Sequence, residues 1–169
     1  QVPLIPEQAY QDILKCEKKL QENIESRSVL EIWQESVHRK PNETAIQDNN
    51  RQISFATLDQ QANFLASKLI QQGIGPGCVV GIQFPRQVEM VISMLAIWKA
   101  GAAYLPIAMD CPLDRLEYLA KDANFSLLLT TAETSRSEIA GVRKTVVRID
   151  ELKPVESAPP FPKIDPEQH

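Results

Sequence analysis

The chain is 169 residues long, 43% hydrophobic and 24% charged, with 18 Lys and Arg against 22 Asp and Glu for a formal net charge of −4. That is the length of about one domain with the makeup of an ordinary globular protein, and with no basic run it excludes a nucleic-acid partner. Cys16, Cys78 and Cys111 are odd in number and widely spaced, which fits neither a disulfide framework nor a zinc site and points to a reducing, cytoplasmic compartment.

Residues 7–25 place Tyr10, Ile13, Leu14, Leu20 and Ile24 on a roughly helical period, opposite a Lys/Glu-rich face. Residues 1–27 therefore read as a lead-in helix or linker docked on its own chain. No charged region followed by an apolar one opens the chain, so no secretory signal is expected. Ser28 with Glu31 three residues later predicts a capping box for a helix running to Arg39, with Val29, Ile32, Trp33 and Val37 as its buried stripe. Thr44 to Gln47 reads as a strand that turns at Asp48-Asn49-Asn50 and returns through Gln52 and Ile53. Ser54 caps the next helix, with Phe55, Leu58, Ala62, Leu65 and Leu69 on one face and Gly73 at its end.

Cys78 to Gln83 is an apolar run of strand length, and Val88 to Lys99 is a helix apolar nearly all round, hence buried. Lys99 in the last turn and Gly101 just past it suit a helix C-terminus. Ala102 to Ile107 is a short strand whose Pro106 belongs at a strand end. Pro112 suits the first position of a helix running to Ala123, with Leu116, Leu119, Ala120 and Ala123 inward and a Glu117–Lys121 pair outward. Ser126 to Leu129 reads as a buried strand, Thr130 with Glu133 as a further capping box, and Lys144 to Ile149 as a last strand. From Asp150 onward the prolines and the lack of an apolar period mark a loop. This alternation predicts an α/β fold, a mostly parallel sheet flanked by helices.

Two stretches carry a resemblance. Lys-Ala-Gly-x-Ala-Tyr-Leu-Pro-Ile, from Lys99 to Ile107, followed by Pro112 and Arg115, resembles the second core motif of AMP-forming adenylation domains. Ser54-Phe-Ala-Thr-Leu58, followed by Asp59, Ala62 and Asn63, resembles their first core motif. Those domains occur in nonribosomal peptide synthetases and in the acyl-CoA synthetase and luciferase superfamily. The resemblance covers Ser28 to Val147 and implies that residues 28–149 are the N-terminal subdomain of such a ligase. The run Ala96 to Ile107 is also similar to the Ebony-type ligases that couple β-alanine to amines.

What the resemblance implies for the parent is ATP- and Mg²⁺-dependent activation of a carboxylate, such as an amino acid, as an acyl-adenylate. The acyl group then passes to a phosphopantetheine thiol on a carrier domain. The family's Thr-Ser-Gly-rich phosphate loop is not found in residues 1–169. Residues 150–169 resemble the proline-rich approach to it. The chain therefore reads as an amino-terminal fragment, inactive alone and with no cofactor of its own, whose partners are the remainder of the adenylation domain and a carrier domain. No residue is assigned a catalytic, cofactor-binding or metal-binding role. The rival readings are a non-catalytic binding or regulatory protein that kept this subdomain, and an unrelated small α/β domain. A Thr-Ser-Gly-rich loop encoded just past His169 would separate the first rival from the enzyme.

Several residues invite over-reading. Gly73-Ile-Gly75-Pro-Gly77 looks like a phosphate loop but follows a helix and opens a strand, the reverse of what phosphate binding needs. Met90 to Met109 approaches membrane-span length, yet Lys99, Gly101 and Pro106 interrupt it. His38 reads as a solvated helix-end histidine. Tyr104 and Arg115 match the motif and are read as structural, Tyr104 by packing and Arg115 by bonding to a carboxylate or carbonyl. Two positions depart from the family pattern. Thr57 replaces the usual Glu, which removes a capping box, and Ala108-Met109 replace the usual Asp-Pro, which puts the shape of that loop in question.

Overall fold

The computed structural model describes residues 27–48, 51–132, 139, 141–146 and 151–152. The lead-in segment, the Asn49-Asn50 turn tip, Glu133 and residues 147–149 lie outside them. Helix α1 spans Val29–Arg39, followed by β1 (Thr44–Gln47), β2 (Gln52–Ser54) and α2 (Phe55–Gln71). Then come β3 (Val79–Gln83), α3 (Val88–Lys99), β4 (Ala103–Pro106), α4 (Leu113–Asp122), β5 (Leu127–Thr130) and β6 (Arg143–Val146). β1 and β2 form an antiparallel hairpin. The other four strands form a parallel sheet in the order β4-β3-β5-β6.

Strand side chains alternate between the two faces of this sheet. Val80, Ile82, Leu127 and Leu129 join the larger core with Leu58, Ala62, Leu65 and Leu69 of α2 and Ile92, Leu95 and Ala96 of α3. Leu128 points the other way, into a smaller core with Ile107, Leu116, Ala120 and Phe125. Helices thus cover both faces, and β5 is buried along its whole length, as a central parallel strand requires. Burying each Leu or Ile of this kind contributes about 1.5–3 kcal/mol. Gly81 is fixed by the same packing, since a Cβ there would stand 2.8 Å from Leu128 Cδ1 and 3.0 Å from the Phe125 ring.

The caps match the sequence where their residues are described. Ser28 and Glu31 form the full capping box of α1. Ser54 Oγ accepts from Thr57 N–H at 3.2 Å and donates to the Thr57 hydroxyl at 3.0 Å, so the threonine keeps a contact with the cap. Gly101 stands at φ 78°, in the left-handed region that a residue just past a helix favours. Pro106 ends an edge strand, where its missing N–H costs no ladder bond.

Four expectations are corrected. The stripe of α1 is rotated: Leu30, Trp33 and Val37 are half-buried, whereas Val29 and Ile32 are 58% and 48% exposed. The rotation follows Trp33, whose ring lies 5.4 Å from Phe55 and whose N–H donates to Asp59. Pro112 is the N-cap of α4 rather than its first residue, with ψ 148° keeping it extended. β6 begins at Arg143, because its N–H already donates to Ser126 O at 2.8 Å. Leu152, expected in a loop, is 7% exposed and packs in the larger core. It shows that the chain past Asp150 still supplies apolar cover.

Candidate functional site

The parallel strands end together at one edge, and the order β4-β3-β5-β6 sets a topological switch between β3 and β5. From β3 the chain continues to β4 on one side; from β5 it continues to β6 on the other. Crevices at such points, outside the carboxyl ends of the strands, are where open α/β sheets take ligands. Here the two central strands both end in a polar residue: Gln83 and Thr130 pair in register, 4% and 0% exposed. The Thr130 hydroxyl donates to Gln83 O at 3.2 Å, and Gln83 Nε2 donates to Ala108 O at 2.8 Å.

Ala108 O also accepts from Cys111 N–H at 3.1 Å. The β4–α4 loop, where Ala108-Met109 depart from the family pattern, is therefore organised by its own carbonyl and a glutamine amide. No sequence reading singled out Gln83; the signal was a polar residue closing an apolar strand. Beside it, the turn after β3 carries the exposed Arg86 and leads to α3, whose N-cap Gln87 makes no side-chain cap bond. The first amides of a helix need partners outside it. Among the described residues this edge thus sets Arg86 beside the start of a helix, chemistry that suits an anionic group.

A second polar cluster joins the helices. Asp59 Oδ1 receives the Trp33 indole N–H at 2.7 Å and the Lys99 ammonium at 2.8 Å, and Asp59 Oδ2 receives Asn63 Nδ2 at 3.0 Å. Lys99 is 2% exposed, so its charge is kept in the interior by this carboxylate. A third cluster ties the hairpin to the start of α3. Arg51 bonds Asp48 at 2.6 Å and Glu89 at 3.0 Å, and those bonds, Glu89 first, hold its guanidinium charged even more firmly than usual.

The resemblance implies a nucleotide and a metal. A phosphate cradle needs glycine amides converging on one point, at the start of a helix. Gly73 and Gly77, at φ 84° and 79°, lie in a turn that leaves α2 and enters β3, and a Cβ on either would meet nothing within 4 Å. The turn is open and does not fit a phosphate. Among the described residues no three His, Cys, Asp or Glu side chains gather as a metal would need. No chemical step is therefore assigned to this chain's own residues.

The remaining candidates separate. Tyr104 is half-buried with its ring 5.5 Å from that of Trp98, which matches its expected packing role. Arg115 is exposed on α4 and has no hydrogen-bond or ion-pair partner among the described residues, contrary to expectation. It lies off the inward line of Leu116 and Ala120. His38 is exposed at the end of α1, and Cys78 and Cys111 are free thiols. No described helix is long and apolar enough to cross a membrane. A shallow groove of about 380 Å³ between Lys121, Phe125 and Gly141 lies at the opposite, amino end of the strands.

The family model described as AMP-binding enzyme matches residues 33–168. The chain belongs to the AMP-binding enzyme family. It is similar to the dimodular nonribosomal peptide synthase of Bacillus subtilis (strain 168), 31% identical over 150 residues, 89% of this chain and 6% of that protein. Its fold is similar to the Klebsiella oxytoca NpsA N-terminal subdomain solved with 3-hydroxybenzoyl-AMSN, with a TM-score of 0.70 at 23% identity, covering 80% of this chain and 34% of that one. It is also similar to NpsA-ThdA, an artificially fused adenylation–PCP di-domain from the same organism, with a TM-score of 0.68 at 25% identity, covering 79% and 26%. The chain thus spans a small part of the AMP-binding relatives it matches. Within them it is part of an adenylation domain with the α/β fold of the N-terminal subdomain.

Proposed function

We propose that residues 28–149 form the amino-terminal part of the adenylation domain of an ATP- and Mg²⁺-dependent, AMP-forming ligase that activates an amino acid. Residues 1–27 lead into it, and residues 150–169 lead toward the phosphate loop of the parent. A carboxylate is a poor electrophile, and adenylation gives it a good leaving group while the metal offsets phosphate charge. In this reading the described residues supply scaffold and one wall, with the carboxyl edge at Gln83 and Thr130 facing the rest of the domain. The acyl group then passes to the phosphopantetheine thiol of a carrier domain, in the cytoplasm, where Cys78 and Cys111 stay reduced. The supporting observation is the family match over residues 33–168, with the first core motif opening α2 and the second running from the last residue of α3 through Gly101 into β4.

The test is ATP–pyrophosphate exchange on the natural protein that carries this sequence, across a panel of amino acids that includes β-alanine. Exchange dependent on one or a few of them is expected. A folded protein with no exchange for any carboxylate would instead favour a non-catalytic binding protein. Residues 1–169 alone are expected to show none, and exchange above background in a verified sample would overturn that part.

A further inference from the structure

Helix α1 is attached differently from the other helices. None of its residues is fully buried. Among the described residues, Trp33 is its one side chain that packs on the larger core. Most of its polar contacts are internal or at its own ends: the Ser28–Glu31 capping box, the Arg27–Glu35 ion pair at 2.8 Å, and the Ser36 hydroxyl on Ile32 O at 2.9 Å. These bonds survive if the helix lifts as a unit. The chain is fixed again just past α1, where Ala56 N–H donates to Pro41 O at 2.9 Å and Phe55 N–H to Glu43 O at 3.1 Å. Lys40 stands between, at φ −137° and ψ 50°, outside the helix and before the anchor.

The geometry points to a flap: α1 opens about Lys40, Trp33 is its latch on Asp59, and opening uncovers the buried ammonium of Lys99. The latch is specific. Asp59 Oδ1, on a side chain 18% exposed, is shared by the Trp33 N–H and the 2%-exposed Lys99 ammonium, so lifting the indole frees that oxygen and opens a path for water to the amine. Segments with few buried apolar contacts open locally well below the global unfolding free energy. α2 and α3, each with at least five fully buried residues, do not share that property. The flap rests on the fold and holds whatever reaction the parent carries out.

Hydrogen–deuterium exchange on the native protein tests this, together with labelling of Lys99 by an amine-acylating reagent. In the unsubstituted protein, the amides of α1 should exchange through an opening insensitive to low denaturant, while those of α2 and α3 stay protected. Trp33→Phe keeps a ring against Phe55 and removes the N–H. It should speed exchange in α1 and labelling of Lys99 together by about tenfold, the scale of one hydrogen bond to a charged group, with α2 and α3 unchanged. Equal protection of α1, α2 and α3 in the unsubstituted protein would overturn the flap. So would α1 exchange in a folded Trp33→Phe protein that matches the original. If that variant does not fold, the unsubstituted measurement decides alone.

Discussion

At the end of α2, Gly73 stands at φ 84°, its N–H reaches Ile70 O at 2.9 Å, and Ile74 N–H reaches Leu69 O at 3.0 Å. At the end of α3, Gly101 stands at φ 78°, with Gly101 N–H on Trp98 O at 2.9 Å and Ala102 N–H on Ile97 O at 3.1 Å. The two exits use one backbone device, the paired bonds around a left-handed residue. Each also has a lysine in the last turn, Lys68 and Lys99. Their surroundings differ. Gly73 is exposed, and the chain runs on through the open Gly75-Pro76-Gly77 turn before β3. Gly101 is flanked by the buried Ala100 and Ala102 and drops straight into β4. Lys68 lies in solvent over the Phe64 ring, whereas Lys99 is 2% exposed on Asp59. The same local signal thus carries little energy at one exit and much at the other, and packing makes the difference.

The largest effect should come from removing Asp59, the carboxylate paired with Lys99. Asp59→Ala takes the paired carboxylate from a 2%-exposed amine and also frees the Trp33 N–H and the Asn63 amide. Breaking one side of a buried pair costs about 3–5 kcal/mol. Urea denaturation should show a loss of that order, and a loss below about 1 kcal/mol, the value of a surface pair, would mean that Lys99 finds water.

Next comes the glycine itself. Gly101→Val puts a β-branched side chain at φ 78°, where such residues are outliers. Gly75→Ala changes a residue outside the left-handed region, whose new Cβ would meet only Ala100 O at 3.9 Å, an ordinary contact. The first variant should be less stable than the second by about 1–3 kcal/mol, the scale of backbone strain with overpacking. Equal denaturation midpoints would break the contrast between the exits.

What could be read in advance follows the reach of each interaction. Ser28 with Glu31, Gly101 after Lys99, and Pro106 at a strand end act within a few residues, and all are as expected. The contacts that sequence did not reveal span the chain. Trp33 finds Asp59 across 26 positions and so turns α1 away from the stripe its own apolar residues suggest. Gln83 finds Ala108 across 25 positions and organises a loop whose local residues lack the usual aspartate. Leu152 is buried by a core assembled far upstream. For the candidate site, the apolar runs at Cys78 to Gln83 and Ser126 to Leu129 located its strands, while the in-register pairing of Gln83 with Thr130 required the sheet order.

The smallest effect belongs to the other lysine. Lys68 sits 4.5 Å from the Phe64 ring centroid on the exposed face of α2, so it interacts through a high-dielectric surface. Exposed cation–π contacts contribute about 0.5–1 kcal/mol. A cation in the last turn of a helix adds about 0.3–1 kcal/mol, which salt screens. Alanine is the better helix former by a few tenths of a kcal/mol and offsets part of that loss. Lys68→Ala should therefore lower stability by less than about 1 kcal/mol, and by less still in high salt. Denaturation at low and high ionic strength checks both points. A loss approaching that of Asp59→Ala, or one that ignores salt, would show that the α2 exit is packed as the α3 exit is.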